Sequence, residues 1–189
     1  HPDFDFIIEK IIEEIPNSLL FIFEGHMKYE IDQLKERWRR NRHLILHKTI
    51  IHQRVSFEKY ISIIKCFDII LDPFYSGMGV TAYQAMALGI PIVSMPTDLM
   101  QSRVVNALYK QMEIKNPPLV NTPDEYISMC KELASNSYYN NDIAKQIRYK
   151  AKKKLFNDKD IFKQYNQFFQ QALHAARKDD MLPSTWNPN

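Results

Sequence analysis

Residues 68–96 read DIILDPFYSGMGVTAYQAMALGIPIVSMP, in which two apolar runs flank a turn and a helical segment. The first apolar run, residues 69–71, leads into a turn rich in Pro and Gly, and residues 80–88 have the pattern of a helix. Gly89 ends that helical pattern, and residues 90–95 form the second apolar run. A strand, a helix and a strand in this order predict a parallel crossover unit.

The turn of this unit, residues 72–79, is the predicted ligand site. In a parallel sheet such a turn leaves the carboxyl end of the strand, and the free N–H groups of the following helix point into the crevice. These donors and the positive end of the helix dipole favour an anion, usually a phosphate. Asp68 and Asp72, which bracket the preceding strand, are interpreted as caps.

The composition indicates a globular protein. The chain has 189 residues, of which 45% are hydrophobic and 12% aromatic, enough to bury a core in one large domain or two small ones. The net charge of +3 is too small to indicate nucleic-acid binding, and no apolar run is long enough to span a bilayer. We therefore expect neither a nucleic-acid nor a membrane partner. The chain starts without Met and within an element, so we expect it to be a piece of a longer protein.

The cysteines indicate a reducing compartment. Cys66 and Cys130 form no disulfide framework and lack the spacing of a metal site, so we expect a cytoplasmic protein without a bound metal. Both lie in apolar helical contexts, which predicts that both are buried.

Strands and helices alternate along the rest of the chain. The run at residues 19–23 predicts a buried strand, and His43–His47 (HLILH) predicts a second short strand followed by a polar loop through Arg54. Ser56 and Thr122 are placed to cap helices. Further helices are predicted at residues 4–15, 27–40, 57–67, 99–111, 122–134, 140–156 and 158–177.

We therefore predict a Rossmann-like three-layer α/β domain with a parallel sheet. The domain is expected to cover residues 1–177, with closing helices at about residues 140–177. Residues 178–189 are polar and contain Pro, which predicts a disordered tail.

Few side chains near the crossover are candidates for chemistry, and each has a plain structural interpretation as well. Thr81, two residues after Gly79, can offer its hydroxyl and amide to a phosphate oxygen, or be an ordinary Thr near a helix start. Gln84, one turn later, can hydrogen-bond a ribose diol or be solvated. Tyr60 can stack on a base or belong to the core, and Arg103 can face the crevice or be a surface charge. No Walker, GxGxxG, HExxH or nucleophile-elbow motif is present, so no catalytic residue is assigned.

The sequence resembles the donor-binding half of glycosyltransferase family 41. The resemblance is strongest in residues 72–96 together with residues 100–104, MQSRV. It extends to about Ala176 through the segments HPDFD (1–5), IPNS (15–18), SFEKY (56–60) and LFN (155–157). The family contains the O-linked N-acetylglucosamine transferases and the Spindly-type O-fucosyltransferases.

The resemblance implies the second Rossmann-like domain of an inverting, metal-independent GT-B enzyme. Such an enzyme transfers N-acetylglucosamine or another hexose from a UDP- or GDP-sugar, such as UDP-GlcNAc, to Ser or Thr hydroxyls, and needs no cofactor. Val80 and Thr81 fall on a Thr pair that contacts the diphosphate, where Val80 offers only its amide. Tyr60 falls beside the nucleobase, and Gln84 takes the position of an acidic residue that binds the ribose.

The resemblance also implies parts outside this chain. These are a phosphate-binding Lys just before His1, the first Rossmann domain, and tetratricopeptide repeats that recruit protein acceptors. This chain alone is therefore expected not to turn over. Two alternatives remain open: a degenerate, non-catalytic interaction or scaffold domain, and a GT-B enzyme acting on glycan or lipid acceptors.

Overall fold

The computed structural model describes residues 1–156 and 158–187. Within these ranges the strands are β1 (Leu20–Phe23), β2 (Thr49–His52), β3 (Ile70–Leu71) and β4 (Ile92–Val93). The α-helices are α1 (Pro2–Glu14), α2 (Lys28–Asn41), α3 (His43–His47), α4 (Phe57–Ile64), α5 (Val80–Leu88), α6 (Val104–Gln111), α7 (Pro123–Ser135), α8 (Ser137–Lys154) and α9 (Ile161–Ala176). A single 3₁₀ turn at Met100–Ser102 precedes α6 in these ranges.

The strands form two separate parallel pairs. β1 pairs with β2 along its whole length, and β3 pairs with β4 with Ile70 opposite Ile92. An isolated parallel bridge between Ser94 and Leu119 continues the second pair. Parallel neighbours need a crossover connection, and α5 supplies it between β3 and β4, as predicted for residues 68–96.

Apolar side chains pack into two clusters on opposite faces of the strands. Successive side chains of a strand point to opposite faces, and Leu20 and Ile22 join one cluster while Phe23 joins the other. In β4, Val93 and Ile92 divide in the same way. The first cluster takes buried residues from α1, α3 and α7, and the second from α5, α6 and α8. The predicted α/β fold, with parallel strands between helices, is confirmed.

One predicted strand is wrong. His43–His47 forms the short helix α3, and the strand follows at Thr49–His52, in the predicted polar loop. A short run of three apolar residues between two histidines does not distinguish one helical turn from a strand. The pairing with β1 is decisive, because the N–H of Leu20 donates to the carbonyl oxygen of Lys48 at 2.9 Å, and β2 starts at the next residue.

The predicted burial of Cys66 is also wrong. Helix α4 ends at Ile64, so Cys66 falls in the turn that follows and is exposed. Cys130 lies within α7 and is only 1% exposed, as predicted, and burial raises the pKa of its thiol to about 12.

The last helix, α9, has no buried residue, and the segment after it contacts its aromatic side chains. The ring centroids of Trp186 and Phe168 are 5.2 Å apart, and the indole N–H of Trp186 donates to Gln171 at 2.7 Å. The domain boundary at residue 177 and the disordered tail stay predictions, and residues 188 and 189 of that tail lie outside the described residues. So does residue 157, where the resemblance of the LFN segment ends. In the described part of the chain, no helix is both long enough and apolar enough to cross a membrane.

Candidate functional site

A buried carboxylate anchors the turn between β3 and α5. Asp72 directly follows β3 and is 2% exposed. Its Oδ1 accepts the N–H of Met78 at 2.7 Å, and its Oδ2 accepts the hydroxyl of Ser94 at 2.6 Å. Tyr126 of α7 donates its hydroxyl to the backbone oxygens of Asp72 (3.2 Å) and Val93 (2.9 Å). The carboxyl ends of β3 and β4 are thus joined to each other and to the turn.

Burial is the main influence on the Asp72 carboxyl. It raises the pKa above the ordinary value of 3.8, and the hydrogen bonds from Ser94 and Met78 act in the opposite direction. The sequence analysis interpreted Asp72 as a cap. It did not predict that one carboxylate oxygen accepts a hydrogen bond from Met78 in the turn and the other from Ser94 after β4. The only signal in the sequence was an Asp at the end of a strand, followed by a Gly-containing turn.

The N-terminus of α5 is open to solvent. Gly79 is its N-cap residue, no side chain caps the helix, and a Cβ placed on Gly79 would have no neighbour within 4 Å. Val80 is 72% exposed, Thr81 is exposed and Gln84 is half-buried. The first amides of a helix have no acceptor within the helix itself, so this end can bind an anion through N–H groups and the helix dipole.

Gly77 packs this turn against the segment that follows β4. A Cβ on Gly77 would lie 3.0 Å from Oδ1 of Asp72, 3.0 Å from the carbonyl oxygen of Gln101 and 3.2 Å from Cα of Ser102. The hydroxyl of Ser102 is itself fixed, because it accepts the N–H of Thr97 at 2.9 Å and donates to the carbonyl of Leu99 at 2.8 Å. The two loops therefore share one edge of the sheet.

Arg103 lies at the end of this second loop, but its side chain contacts the loop itself. Its Nε donates to the carbonyl oxygen of Thr97 at 2.7 Å, and its guanidinium pairs with Asp98 at 3.1 Å. The Arg103 side chain is 52% exposed and that of Asp98 fully so. Such an exposed pair contributes only about 0–1 kcal/mol, so an anionic ligand can compete for the guanidinium.

Tyr60 packs against the same apolar cluster as α5. It is half-buried on α4, and its ring centroid is 5.0 Å from that of Phe23 at the end of β1. Tyr60 and Met78 pack against the cluster that includes α5, and burial raises the pKa of the Tyr60 hydroxyl. The start of α5 thus brings together Gly79, Val80, Thr81 and Gln84. Tyr60 packs against the same apolar cluster as α5, and the Arg103 side chain is turned towards Asp98.

The described residues contain no group of three or more His, Cys, Asp or Glu side chains placed to hold a metal ion. The site consists instead of backbone N–H groups, a hydroxyl, an amide and one guanidinium.

Comparison with known proteins assigns the family. The sequence profile described as Glycosyl transferase family 41 matches residues 4–167. The chain belongs to glycosyltransferase family 41. No curated protein sequence matches it.

The family-41 chain is similar in structure to a mutant O-GlcNAc transferase from Thermobaculum terrenum, with a TM-score of 0.80 at 16% sequence identity. The match covers 93% of this chain and 35% of that chain, so the present chain spans about a third of the bacterial protein. At this identity the similarity shows the fold, which matches that of a GT-B glycosyltransferase.

Proposed function

We propose that this family-41 chain is the donor-binding half of a GT-B glycosyltransferase. The whole enzyme transfers N-acetylglucosamine or another hexose from a UDP- or GDP-sugar to Ser or Thr hydroxyls of protein acceptors. The observation that carries the proposal is the open N-terminus of α5 at the carboxyl end of β3, beside a turn anchored by Asp72.

The diphosphate of the donor occupies the start of α5. The amides of residues 79–81 and the hydroxyl of Thr81 donate to its oxygens, and the helix dipole favours its negative charge. Arg103 leaves the exposed Asp98 and adds a positive charge beside the leaving diphosphate. Binding through these groups needs neither a metal ion nor a cofactor.

The nucleoside extends from the diphosphate towards α4. Gln84 lies one turn further along α5 than Thr81, where its amide can donate to and accept from the ribose hydroxyls. Tyr60 packs against the same apolar cluster as α5, and its ring offers a face for the nucleobase. Because Gln84 is neutral, its hydrogen bonds to the ribose are weaker than those of a carboxylate.

Sugar transfer then depends on positioning and on charge. The acceptor oxygen attacks the anomeric carbon, the bond from that carbon to the diphosphate oxygen breaks, and the configuration inverts. The acceptor proton goes to a base outside this chain, while the α5 amides stabilise the departing diphosphate. We expect the acceptor to be a protein recruited by parts of the enzyme outside this chain, and the enzyme to be cytoplasmic without nucleic-acid or membrane partners.

Calorimetric titration of the 189-residue chain with UDP, GDP and their sugar conjugates, in the presence of a chelator, tests the proposal. We expect one nucleotide to bind, and Thr81→Val and Gln84→Ala each to weaken its affinity by about two- to tenfold. Gln170→Ala, at an exposed position of α9, is the matched control and should bind as the wild type does. Unchanged affinity in both site variants would contradict the site.

A second candidate function is a non-catalytic interaction domain. It is favoured by Val80, which brings no hydroxyl to α5, and by the pairing of Arg103 with Asp98. This candidate predicts that the wild-type chain binds none of the nucleotides. It also predicts that the complete protein neither transfers nor hydrolyses a nucleotide sugar.

A further inference from the structure

We propose that Asp72 is a positioning residue for donor binding, because its carboxylate holds the turn that aims the first amides of α5 at the diphosphate. This inference rests on the proposed function, since the ligand of that turn is the donor. Asp72 itself is buried and does not touch the ligand.

The argument begins with the two hydrogen bonds of the carboxylate. One oxygen accepts the N–H of Met78, the residue just before the N-cap Gly79. The other accepts the hydroxyl of Ser94, which follows β4. The carboxylate therefore links the sheet to the turn and fixes the peptide unit that leads into α5. Gly77 makes the approach possible, because even a Cβ at that residue would lie only 3.0 Å from Oδ1 of Asp72.

Holding the turn with a buried carboxylate has a free-energy cost, because the charged group loses its hydration. Asp72 is 2% exposed, and desolvation is the largest influence on it, opposed by the hydrogen bonds from Ser94 and Met78. Burial of an ionised group is unfavourable unless its interactions compensate for the lost hydration. A neutral side chain of similar shape would avoid this desolvation. The carboxylate has two acceptor oxygens, where Asn has one, so it accepts the N–H of Met78 on one oxygen and the hydroxyl of Ser94 on the other.

The groups facing the carboxylate stay neutral in the range where it ionises. The hydroxyl of Ser94 and the N–H of Met78 bond the carboxylate. The buried phenols of Tyr109 on α6 and Tyr126 on α7 interact with it electrostatically. Burial raises the pKa of both phenols, so neither becomes charged at acid or neutral pH. The turn also contacts the Asp3 carboxylate of α1, through the hydroxyl of Tyr75 at 3.0 Å. A titration of the turn is therefore assigned to Asp72 by its loss in Asp72→Asn.

The first test compares Asp72→Asn with Asp68→Asn in the 189-residue chain, with UDP and GDP as probes. Asp68 is exposed at the other end of β3, so its variant makes the same charge change away from the turn. We expect Asp72→Asn to weaken nucleotide affinity at least about tenfold, as the loss of one charged hydrogen bond allows, and Asp68→Asn to leave it unchanged. Equal affinities for the two variants would overturn the proposal while leaving the proposed function intact.

Ser94→Ala provides a second variant if Asp72→Asn does not fold. It removes the link to β4 and keeps the bond from the carboxylate to Met78. We expect a loss of affinity smaller than that of Asp72→Asn, about two- to fivefold. Wild-type affinity in Ser94→Ala would show that the link to the sheet does not position the turn.

The amide of Met78 provides a readout that does not depend on any nucleotide. By NMR, its proton should titrate with Asp72, with a midpoint above the ordinary value of 3.8, and this titration should vanish in Asp72→Asn. The amide should also exchange with solvent faster in that variant, while later amides of α5 are unaffected. A Met78 amide that behaves the same in both proteins would overturn the proposal for Asp72. That result is distinct from a wild-type chain that binds no nucleotide, which would contradict the proposed function.

Discussion

Gly77 lies in contact with Gln101, so that a Cβ on Gly77 would be 3.0 Å from the Gln101 carbonyl oxygen. This contact joins the turn before α5 to the loop after β4. The Gln101 carbonyl oxygen cannot move easily, because it belongs to the backbone. The next residue, Ser102, is also fixed, because hydrogen bonds join its hydroxyl to Thr97 and Leu99. The absence of a side chain at Gly77 is therefore what lets the two loops form one surface.

We expect Gly77→Ala to lower the free energy of unfolding by about 1–3 kcal/mol, because overpacking against fixed backbone forces the loops apart. Urea denaturation measures the change. Gly25→Ala is the matched control, since its Cβ would meet the carboxylate of Glu30, the movable end of an exposed side chain. Equal unfolding midpoints in the two variants would contradict the close contact.

The ion pair between Arg37 and Asp5 should contribute to stability. The Nε of Arg37 donates to Asp5 at 2.6 Å, and a terminal nitrogen of the same guanidinium donates at 2.9 Å. The pair joins α2 to α1, and the Asp5 side chain is only 7% exposed. Arg37→Lys keeps the charge and loses the paired geometry, so we expect a loss of about 1–2 kcal/mol in urea denaturation. Arg39→Lys, in an exposed pair with Glu36, is the control and should cost less than about 0.5 kcal/mol. Equal losses in the two variants would contradict a larger contribution from the Arg37–Asp5 pair.

The stability of the chain should depend on pH through Asp72. Burial raises the pKa of Asp72 in the folded state above the ordinary 3.8, so the folded state binds this proton more readily than the unfolded state. The unfolded state then binds fewer protons, and the contribution of Asp72 to stability rises as the pH falls through the folded pKa and is lost as the pH rises through it.

Urea denaturation between about pH 7 and pH 4 checks this sign. We expect the difference in unfolding free energy between the wild type and Asp72→Asn to shift in favour of the wild type as the pH falls. Asp68→Asn controls for protonation elsewhere in the chain. A shift in the opposite direction would mean that the hydrogen bonds to Met78 and Ser94 outweigh burial.

Substitutions on α5 should strengthen nucleotide binding. Val80 is 72% exposed at the first position of the helix, so Val80→Thr adds a hydroxyl donor without disturbing the core. Gln84→Glu replaces a neutral acceptor for the ribose with a charged one. We expect each to tighten binding by about two- to tenfold in calorimetric titration, with Gln170→Glu on α9 as the control for added charge. Weaker binding by Gln84→Glu would place the diphosphate, rather than the ribose, beside residue 84.

Fluorescence can test whether the C-terminal segment is ordered. The composition of residues 178–189 predicts disorder, whereas Trp186 contacts Phe168 and Gln171 of α9. The other tryptophan, Trp38, is 1% exposed, so the difference between the wild type and Trp186→Phe isolates the emission of Trp186. We expect acrylamide to quench this emission less than that of free tryptophan. Equal quenching would support the disordered tail.

Local features of the fold could be read from the sequence. Ser56 and Thr122 cap their helices as predicted, accepting the N–H groups of Lys59 at 3.4 Å and Glu125 at 3.2 Å. Gly89 ends α5 with a φ of 78°, a left-handed conformation that glycine adopts easily. These features depend on residues within one helical turn of each other, so the sequence pattern contains the information they need.

The candidate site was predicted less completely. Gly79, Val80, Thr81 and Gln84 could be assigned to the start of one helix, because a Gly-rich turn between a strand and a helix is a local pattern. The direction of the Arg103 side chain could not, because it depends on competition between Asp98 and any ligand for one exposed guanidinium.

The sequence by itself determined most of the order of strands and helices, the caps at Ser56 and Thr122 and the turn that opens α5, because these follow from periodicity and from short-range hydrogen bonds. Only the tertiary structure decided that His43–His47 is helical, that Cys66 is exposed and that Asp72 is buried against Ser94. Each of these depends on which distant segments pack together. Strand pairing and burial are set by the summed contacts of residues far apart in the chain, and no local pattern records that sum.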